Sequence, residues 1–189
     1  MQSLAKLFGS SARLKTIRLF VFNRSTSFSL AEVAQRAKLS KEAVRRELSE
    51  LLASGLIRKK GTNIKTTYQT DSHFEHLDAL DTFIRDTTIV HQQRILEPLR
   101  KAGTLRLVAL SGLFMNATES PIDLLVVGDR LDESILANAI HSLEAELGRE
   151  IRYASFSTED FRYRLGVYDR LVRDVFDYPH RLLVDKIGL

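Results

Sequence analysis

Four polar residues of one predicted helix have side chains and a spacing suited to hydrogen-bonding a nucleic acid: Lys41, Arg45, Arg46 and Ser49. The same helix carries an apolar stripe at helical spacing, formed by Val44, Leu48, Leu51 and Leu52. A helix that buries this stripe exposes the opposite face, which is predominantly cationic. We expect Arg45 and Arg46 to contact bases, because a guanidinium can bond guanine O6 and N7 together.

A second cationic group follows in a predicted β-hairpin: Arg58, Lys59, Lys60 and Lys65. Residues 56–60 and 64–69 are rich in β-branched and aromatic types, and a glycine-containing turn at 61–63 separates them. The sequence therefore predicts two antiparallel strands with positive charge gathered at the tip.

Helices are predicted before this hairpin. One covers 11–23, and a second covers 30–37 and opens with the capping-box pattern of Ser29 and Glu32. After a short turn, Ser40 caps the cationic helix. A short helix, a turn of about three residues and a second helix with an exposed cationic face is a geometry that fits the DNA major groove.

This order of elements, over residues 11–68, resembles the winged helix-turn-helix of ArsR-like and related transcription regulators. In that family the hairpin, or wing, flanks the groove and touches phosphates. The resemblance gives that role to Arg58, Lys59, Lys60 and Lys65.

Apolar residues at near-helical spacing from Ser72 to Gly103 predict one long helix, which can restart at Pro98. In winged-helix regulators a helix in this position commonly forms the dimer interface. His73 and His76 stand three residues apart, but no third ligand has a suitable spacing and the chain has no cysteine. We therefore expect an exposed helix face here and no metal site.

The second half of the chain predicts a compact α/β sandwich. Three short apolar strands are expected at 105–110, 122–127 and 151–156, with a helix over 132–147 between the last two. The middle strand is a nearly continuous apolar run, which is typical of a central strand covered on both faces. Further helices follow, and Leu165 is among the residues expected to complete the core.

Residues 105–165 resemble the minimal nucleotidyltransferase domain. The likeness starts with Ser111 and Gly112 at a strand end and continues with Asp123 at the next strand. In active members a Gly-Ser loop positions the nucleotide phosphates. An Asp-x-Asp pair and often a third carboxylate hold two divalent metals.

This chain departs from that pattern. Pro121 stands in place of the first Asp, and Arg152 stands at the position of the third carboxylate. One remaining carboxylate cannot hold two metal ions, so the resemblance implies an inactive domain. Ser111, Gly112 and Asp123 would be a remnant of the nucleotide site, and the loop could still bind a phosphate through backbone N–H groups. Asp123 could equally be a surface or capping carboxylate.

The charge is divided unevenly along the chain. Residues 1–70 contain fourteen Lys and Arg against four Asp and Glu, whereas residues 71–189 contain fourteen against twenty. The net charge of +4 thus separates into +10 and −6, and a basic half suggests a polyanionic partner. The absence of cysteine excludes a disulfide framework, and the apolar runs are too short for a membrane span, so we expect a soluble, cytoplasmic protein.

The sequence as a whole predicts an α+β protein in three parts. These are a winged helix-turn-helix domain at 1–70, a linker or dimerisation helix at 71–103, and an inactive nucleotidyltransferase-like domain at 104–189. The expected function is a homodimeric transcription regulator that binds double-stranded DNA, with no enzymatic activity, no cofactor, no metal and an unidentified small-molecule or protein effector. Two alternatives stay open: an active nucleotidyltransferase with an accessory nucleic-acid-binding domain, and an antitoxin-like protein-interaction module.

Overall fold

The computed structural model describes residues 2–61, 66–88, 92–115, 117 and 119–189. Over this part of the chain the fold is α+β, as predicted, with a two-stranded and a four-stranded sheet. The chain separates into two compact units, Met1–Ile89 with His141–Arg149, and Val90–Ile140 with Glu150–Leu189. None of the described helices combines the length and the apolar character needed to cross a membrane.

The first unit consists mainly of helices and a hairpin. Its elements in chain order are α1 (Gln2–Leu7), α2 (Ser11–Phe22), α3 (Leu30–Ala37), α4 (Lys41–Ala53), β1 (Ile57–Lys60), β2 (Thr67–Thr70) and α5 (Leu77–Thr87). The two strands are antiparallel, with Ile57 opposite Thr70 and Lys60 opposite Thr67. The predicted strand pairing is therefore confirmed, although residues 62–65 of its tip lie outside the described residues.

Serine side chains open three of these helices. Ser10 and Ser40 each accept a hydrogen bond from the backbone N–H three residues later, at the starts of α2 and α4. Ser29 and Glu32 form the predicted capping box at the start of α3. Lys38 adopts a left-handed conformation (φ 51°) that ends α3, so the chain enters α4 after a very short turn.

The core of the first unit brings together α2, α3, α4 and the residues beside the hairpin. Phe20, Val21, Val33 and Val44 have no exposed surface, and the ring of Phe20 meets that of Phe28 edge-on at 5.8 Å. Full burial of a side chain of this kind stabilises a fold by about 1.5–3 kcal/mol. This packing fixes which face of α4 points inward.

The segment His141–Arg149 packs against α2 within the first unit. The buried Arg18 donates a hydrogen bond from Nη1 to the carbonyl oxygen of Glu146 at 2.8 Å, and Asn23 donates from Nδ2 to that of Gly148 at 2.8 Å. Gly148 has φ 74°, and a Cβ atom there would lie 2.6 Å from the backbone carbonyl carbon of Arg18. Only glycine permits so close an approach.

The prediction of one helix from Ser72 to Gly103 is wrong. The residues just before α5 form turns, in which the Asp71 side chain accepts a hydrogen bond from the backbone N–H of His73 at 3.0 Å. Such a local bond competes with the helical pattern. A helix over Leu77–Thr87 follows, and Gln92–Arg100 forms a separate helix, α6, in the second unit.

The second unit is built on the four-stranded sheet. After α6 come β3 (Thr104–Leu110), β4 (Leu124–Asp129), α7 (Glu133–Leu147), β5 (Tyr153–Phe156), α8 (Thr158–Gly166), α9 (Arg170–Asp177) and β6 (Arg181–Asp185). The strand order is β5-β4-β3-β6, with β4 and β5 parallel and the other two pairs antiparallel. The C-terminal part of α7, from His141, belongs to the first unit.

The three strands predicted at 105–110, 122–127 and 151–156 are present as β3, β4 and β5, with small changes at the ends, and β6 adds a fourth strand to the sheet. β4 is central, and its first five residues are buried, as the continuous apolar run indicated. One face of the sheet packs against α8 and α9 through Phe161, Val172 and Val175. This packing fixes the position of the sheet, and therefore of the loops that follow β3 and precede β4 and β5.

Candidate nucleic-acid interface

The exposed face of α4 carries the residues that the sequence singled out. Lys41, Arg45, Arg46 and Ser49 are exposed. On the opposite side, Val44, Leu48 and Leu51 are buried in the core of the first unit. The helix therefore presents two arginines on adjacent positions to solvent from a backbone that packing holds in place.

Glu47, which sequence reasoning did not single out, fixes α4 to α2. Its carboxylate accepts hydrogen bonds from the Ser10 hydroxyl at 3.1 Å and from Nε of Arg13 at 2.8 Å, and its side chain is only 11% exposed. The hydrogen bond and the charge of Glu47 hold the pKa of Arg13 above its ordinary value. The spacing of Glu47 from Val44, three residues, was the signal that it lies on the buried face.

The hairpin supplies the second exposed cationic group. Arg58, Lys59 and Lys60 follow the buried Ile57 along β1 and are exposed. Lys65, which the sequence assigned to the same group, lies outside the described residues. The hydrogen bond from the backbone N–H of His73 is the main cause that lowers the pKa of Asp71, and the positive charge of Arg58 adds to it.

The cations of the first unit fall into two groups, those that make an ion pair and those that do not. Arg13, Lys15 and Arg24 each have a carboxylate oxygen at 2.7–2.8 Å. Six cations on α4 and β1 make no ion pair with any residue that the structure describes: Lys41, Arg45, Arg46, Arg58, Lys59 and Lys60. Their charge is therefore available to an anion from outside the chain.

Comparison with known proteins adds no family to this picture. No family model, curated protein or solved structure matches the chain. The contacts and charges of its own residues are therefore the basis for assigning a function.

In the second unit, Asp123 stands at the start of β4 and is almost completely buried. Its Oδ1 accepts hydrogen bonds from the backbone N–H of Leu113 at 2.7 Å and from Nη2 of Arg152 at 2.8 Å. Its Oδ2 accepts from the backbone N–H of Arg152 at 2.8 Å and from Nε of the same residue at 3.1 Å. The carboxylate is therefore held by a bidentate guanidinium and two backbone donors.

The pairing of β4 with β5 explains why these two residues meet. Leu124 lies beside Tyr153 in the parallel register, so the preceding residues, Asp123 and Arg152, come together at the same edge of the sheet. Burial raises the pKa of Asp123, but hydrogen bonds from Arg152 and from the backbone outweigh this effect and lower it. The hydrogen bond to Asp123 in turn raises the pKa of Arg152. Both groups are thus charged at neutral pH.

The loop after β3 is shaped around this carboxylate. Gly112 has φ 45°, and a Cβ atom there would lie 2.1 Å from Oδ1 of Asp123. The N–H of Leu113, which could have bound a phosphate, binds Asp123 instead. The Ser111 hydroxyl is buried and lies 3.0 Å from the Pro179 carbonyl oxygen, so it is also occupied within the unit.

The histidines near α5 are not arranged as a metal site. His73 lies in a turn, where Nδ1 is 3.2 Å from the Asp71 carboxylate, and the ring of His76 packs edge-on against Phe74 at 6.0 Å. Within the described ranges, no group of three or more His, Cys, Asp or Glu could hold a metal ion. His91 lies outside those ranges.

Proposed function

We propose that this protein is a transcription regulator that binds duplex DNA through α4 and the β1–β2 hairpin. The observation that carries the proposal is the group of exposed cations on these two elements that make no ion pair with a described residue. Neutralising phosphates with such cations releases condensed counterions, which drives binding to DNA.

The roles of the two elements follow from their chemistry. Arg45 and Arg46 are in the N-terminal half of α4, where a recognition helix contacts base edges, and a guanidinium discriminates guanine by about 1–3 kcal/mol. Lys59 and Lys60, on a strand, contact phosphates and contribute affinity without sequence preference. This division of roles is the one that the resemblance to winged helix-turn-helix regulators implies.

We further propose that the second unit is nucleotidyltransferase-like in descent and has no transferase activity. In the part of the chain that the structure describes, the Asp123 carboxylate accepts four hydrogen bonds, two from the Arg152 guanidinium and two from backbone N–H groups. A carboxylate engaged in this way stabilises the fold and is unavailable for the metal chemistry of phosphoryl transfer.

A homodimer is the form in which we expect the protein to bind DNA. Phe83 on α5 is 40% exposed, and the centre of its ring lies 6.2 Å from that of Phe8. Leu7, which precedes Phe8 in the chain, is 72% exposed. Apolar side chains that cluster at a surface commonly mark an interface. Two copies would present two cationic helices to a palindromic site.

The proposal is tested by fluorescence anisotropy with a labelled duplex that carries the protein's own upstream region. We expect saturable binding, and we expect Arg45→Ala with Arg46→Ala to weaken it by 10-fold or more, since each arginine contributes about 1–3 kcal/mol. The matched control removes two exposed arginines of the second unit, Arg162→Ala with Arg181→Ala, and should bind nearly as the wild type does.

Two results would overturn the proposal. One is the absence of duplex binding at low salt, and the other is equal loss of affinity in the two double variants, which would indicate an effect of net charge alone. Transfer of label from a radiolabelled nucleoside triphosphate with Mg²⁺, abolished by Asp123→Ala, would show that the second unit is an active enzyme.

A further inference from the structure

The second unit contains a cavity of about 590 Å³ that lies between α8, α9 and β6. Its wall is mainly apolar and includes Leu165, Val172, Phe176 and Leu182. This volume is within the range of about 300–1,000 Å³ that is usual for small-molecule sites, which are also mainly apolar with a few polar groups. The cavity is separate from the Asp123–Arg152 pair, neither of which lines it.

Apolar side chains are exposed around this cavity. Leu165, which the sequence placed in the core, is 38% exposed, and Tyr168, in the turn after α8, is 82% exposed. Tyr168 also has φ 55°, a left-handed conformation that is unfavourable for a bulky residue. Tyr163 and Val167 nearby are exposed as well. A cluster of this kind, with backbone strain beside a cavity, is typical of a binding site.

Two charged residues of the wall, Asp169 and Arg164, already make hydrogen bonds within the unit. Asp169 caps α9 by accepting hydrogen bonds from the backbone N–H groups of Leu171 and Val172, and its other oxygen accepts from Arg164 at 3.2 Å. Arg164 also binds Asp160 and lies over the ring of Phe156 at 4.7 Å. Asp169 and Arg164 therefore each already have a partner of opposite charge within the unit.

Two further polar side chains of the wall, Arg173 and His180, make fewer or longer contacts within the unit. The guanidinium of Arg173 reaches Asp174 and Asp177 only at 3.5 Å, and the side chain of Asp177 is 65% exposed. His180 places Nδ1 2.9 Å from the Tyr178 carbonyl oxygen, so that Nδ1 donates there and Nε2 is left for another partner. An anionic group is the natural complement of the Arg173 guanidinium. Nε2 of His180 is left as a lone-pair acceptor, which can take a hydrogen bond from a donor group.

The aromatic side chains of the wall indicate the rest of the ligand. The ring of His180 packs edge-on against Phe176 at 5.3 Å, and Phe176 in turn meets Phe161 at 6.5 Å. Tyr168 lines the same cavity from the turn between α8 and α9. A flat aromatic group can pack against these rings in edge-to-face or offset geometry.

We propose that this cavity binds a small aromatic carboxylate. The aromatic group lies against Phe176 and Tyr168, and the carboxylate is bound by the guanidinium of Arg173. This site is independent of the proposed DNA-binding surface, because all of its residues belong to the second unit. It goes beyond the proposed function by giving the protein a ligand class.

The test uses 1-naphthylacetate as the probe and the full chain. The protein has no tryptophan, so the fluorescence of the naphthyl group can be followed directly. We expect saturable binding with a Kd below about 1 mM, and binding at least 10-fold weaker for Arg173→Gln and for the neutral probe 1-naphthylacetamide. Arg170→Gln is the matched control, because Arg170 is on the same helix with an 88% exposed side chain and does not line the cavity.

A second measurement locates the probe. In ¹⁵N-labelled wild-type protein, amide shifts on titration should be confined to α8, α9, β6 and their connections. The proposal is overturned by an absence of saturable binding, by shifts elsewhere, or by equal binding to Arg173→Gln and wild type. It is also overturned if sedimentation shows a dimer that Tyr168→Ser dissociates and the probe does not bind, because the exposed apolar cluster would then be a contact between copies.

Discussion

Two sets of charged residues, one in each unit, lie in contrasting environments. In the first unit, the exposed cations of α4 and β1, among them Arg45 and Arg46, have no carboxylate partner in the described part of the chain. In the second unit, Asp123 is buried and satisfied by Arg152 and two backbone donors. The first set of charges is accessible to an outside partner, whereas the second stabilises the fold.

The same contrast exists within α4. Arg45 and Arg46 point to solvent, whereas Glu47, the next residue, is bound by Ser10 and Arg13. Substitutions on the two faces should therefore have different consequences. Loss of an outward charge should affect DNA binding alone, and loss of an inward charge should affect stability.

The largest effect on stability is expected for Arg152→Met. This change leaves the Asp123 carboxylate buried without its cation, and breaking a buried ion pair from one side costs about 3–5 kcal/mol. Since half of the Arg152 side chain is exposed, we expect the lower end of that range, about 3 kcal/mol, in the free energy of unfolding measured with urea.

The double variant Arg152→Met with Asp123→Ala is the control for this experiment. Removing both charges should cost clearly less than the sum of the two single changes, because neither partner is then left alone. Additive costs would mean that the two groups do not stabilise each other, and the comparison between the units would lose its basis.

A smaller loss of stability is expected for Glu47→Gln. The amide can still accept one hydrogen bond but has no charge for Arg13, so the free energy of unfolding should fall by about 1–2 kcal/mol. Arg46→Ala, on the exposed face of the same helix, is the control and should change stability by no more than about 0.5 kcal/mol. Equal losses in the two variants would remove the distinction between the faces of α4.

The smallest effect is a dependence on pH. Because the folded-state pKa of Asp123 is lower than the ordinary value, its contribution to stability is present above the unfolded-state pKa of about 3.9 and is lost as pH falls through the folded-state pKa. The difference in unfolding free energy between the wild type and Asp123→Asn should therefore narrow below about pH 4. A constant difference from pH 6 to pH 3 would contradict an ionised, stabilising Asp123.

Local patterns in the sequence were sufficient to predict much of the secondary structure of the first unit. The capping box of Ser29 and Glu32 and the serine at position 40 defined where α3 and α4 begin, because these side chains bond backbone donors a few residues away. The apolar stripe of α4 likewise defined its exposed face. Each of these features depends on neighbours within one or two turns of the chain.

The features that sequence reasoning missed depend on residues far apart in the chain. Asp123 and Arg152 are 29 residues apart and meet only because β4 and β5 are parallel in one register. Glu47 is 34 residues from Arg13. The break within the helix predicted over 72–103 was also missed, because the periodicity of apolar residues alone does not distinguish one long helix from two shorter ones.

The central claim is that the exposed cations of α4 and β1 bind DNA phosphates and bases. Its most direct test is the dependence of the observed binding constant for duplex DNA on salt concentration. With about four phosphate contacts per chain, the plot of log K against log salt should have a slope of about −3 to −4, and Lys59→Ala with Lys60→Ala should make it shallower by nearly 2. A slope near zero, or one that this variant leaves unchanged, would contradict the claim.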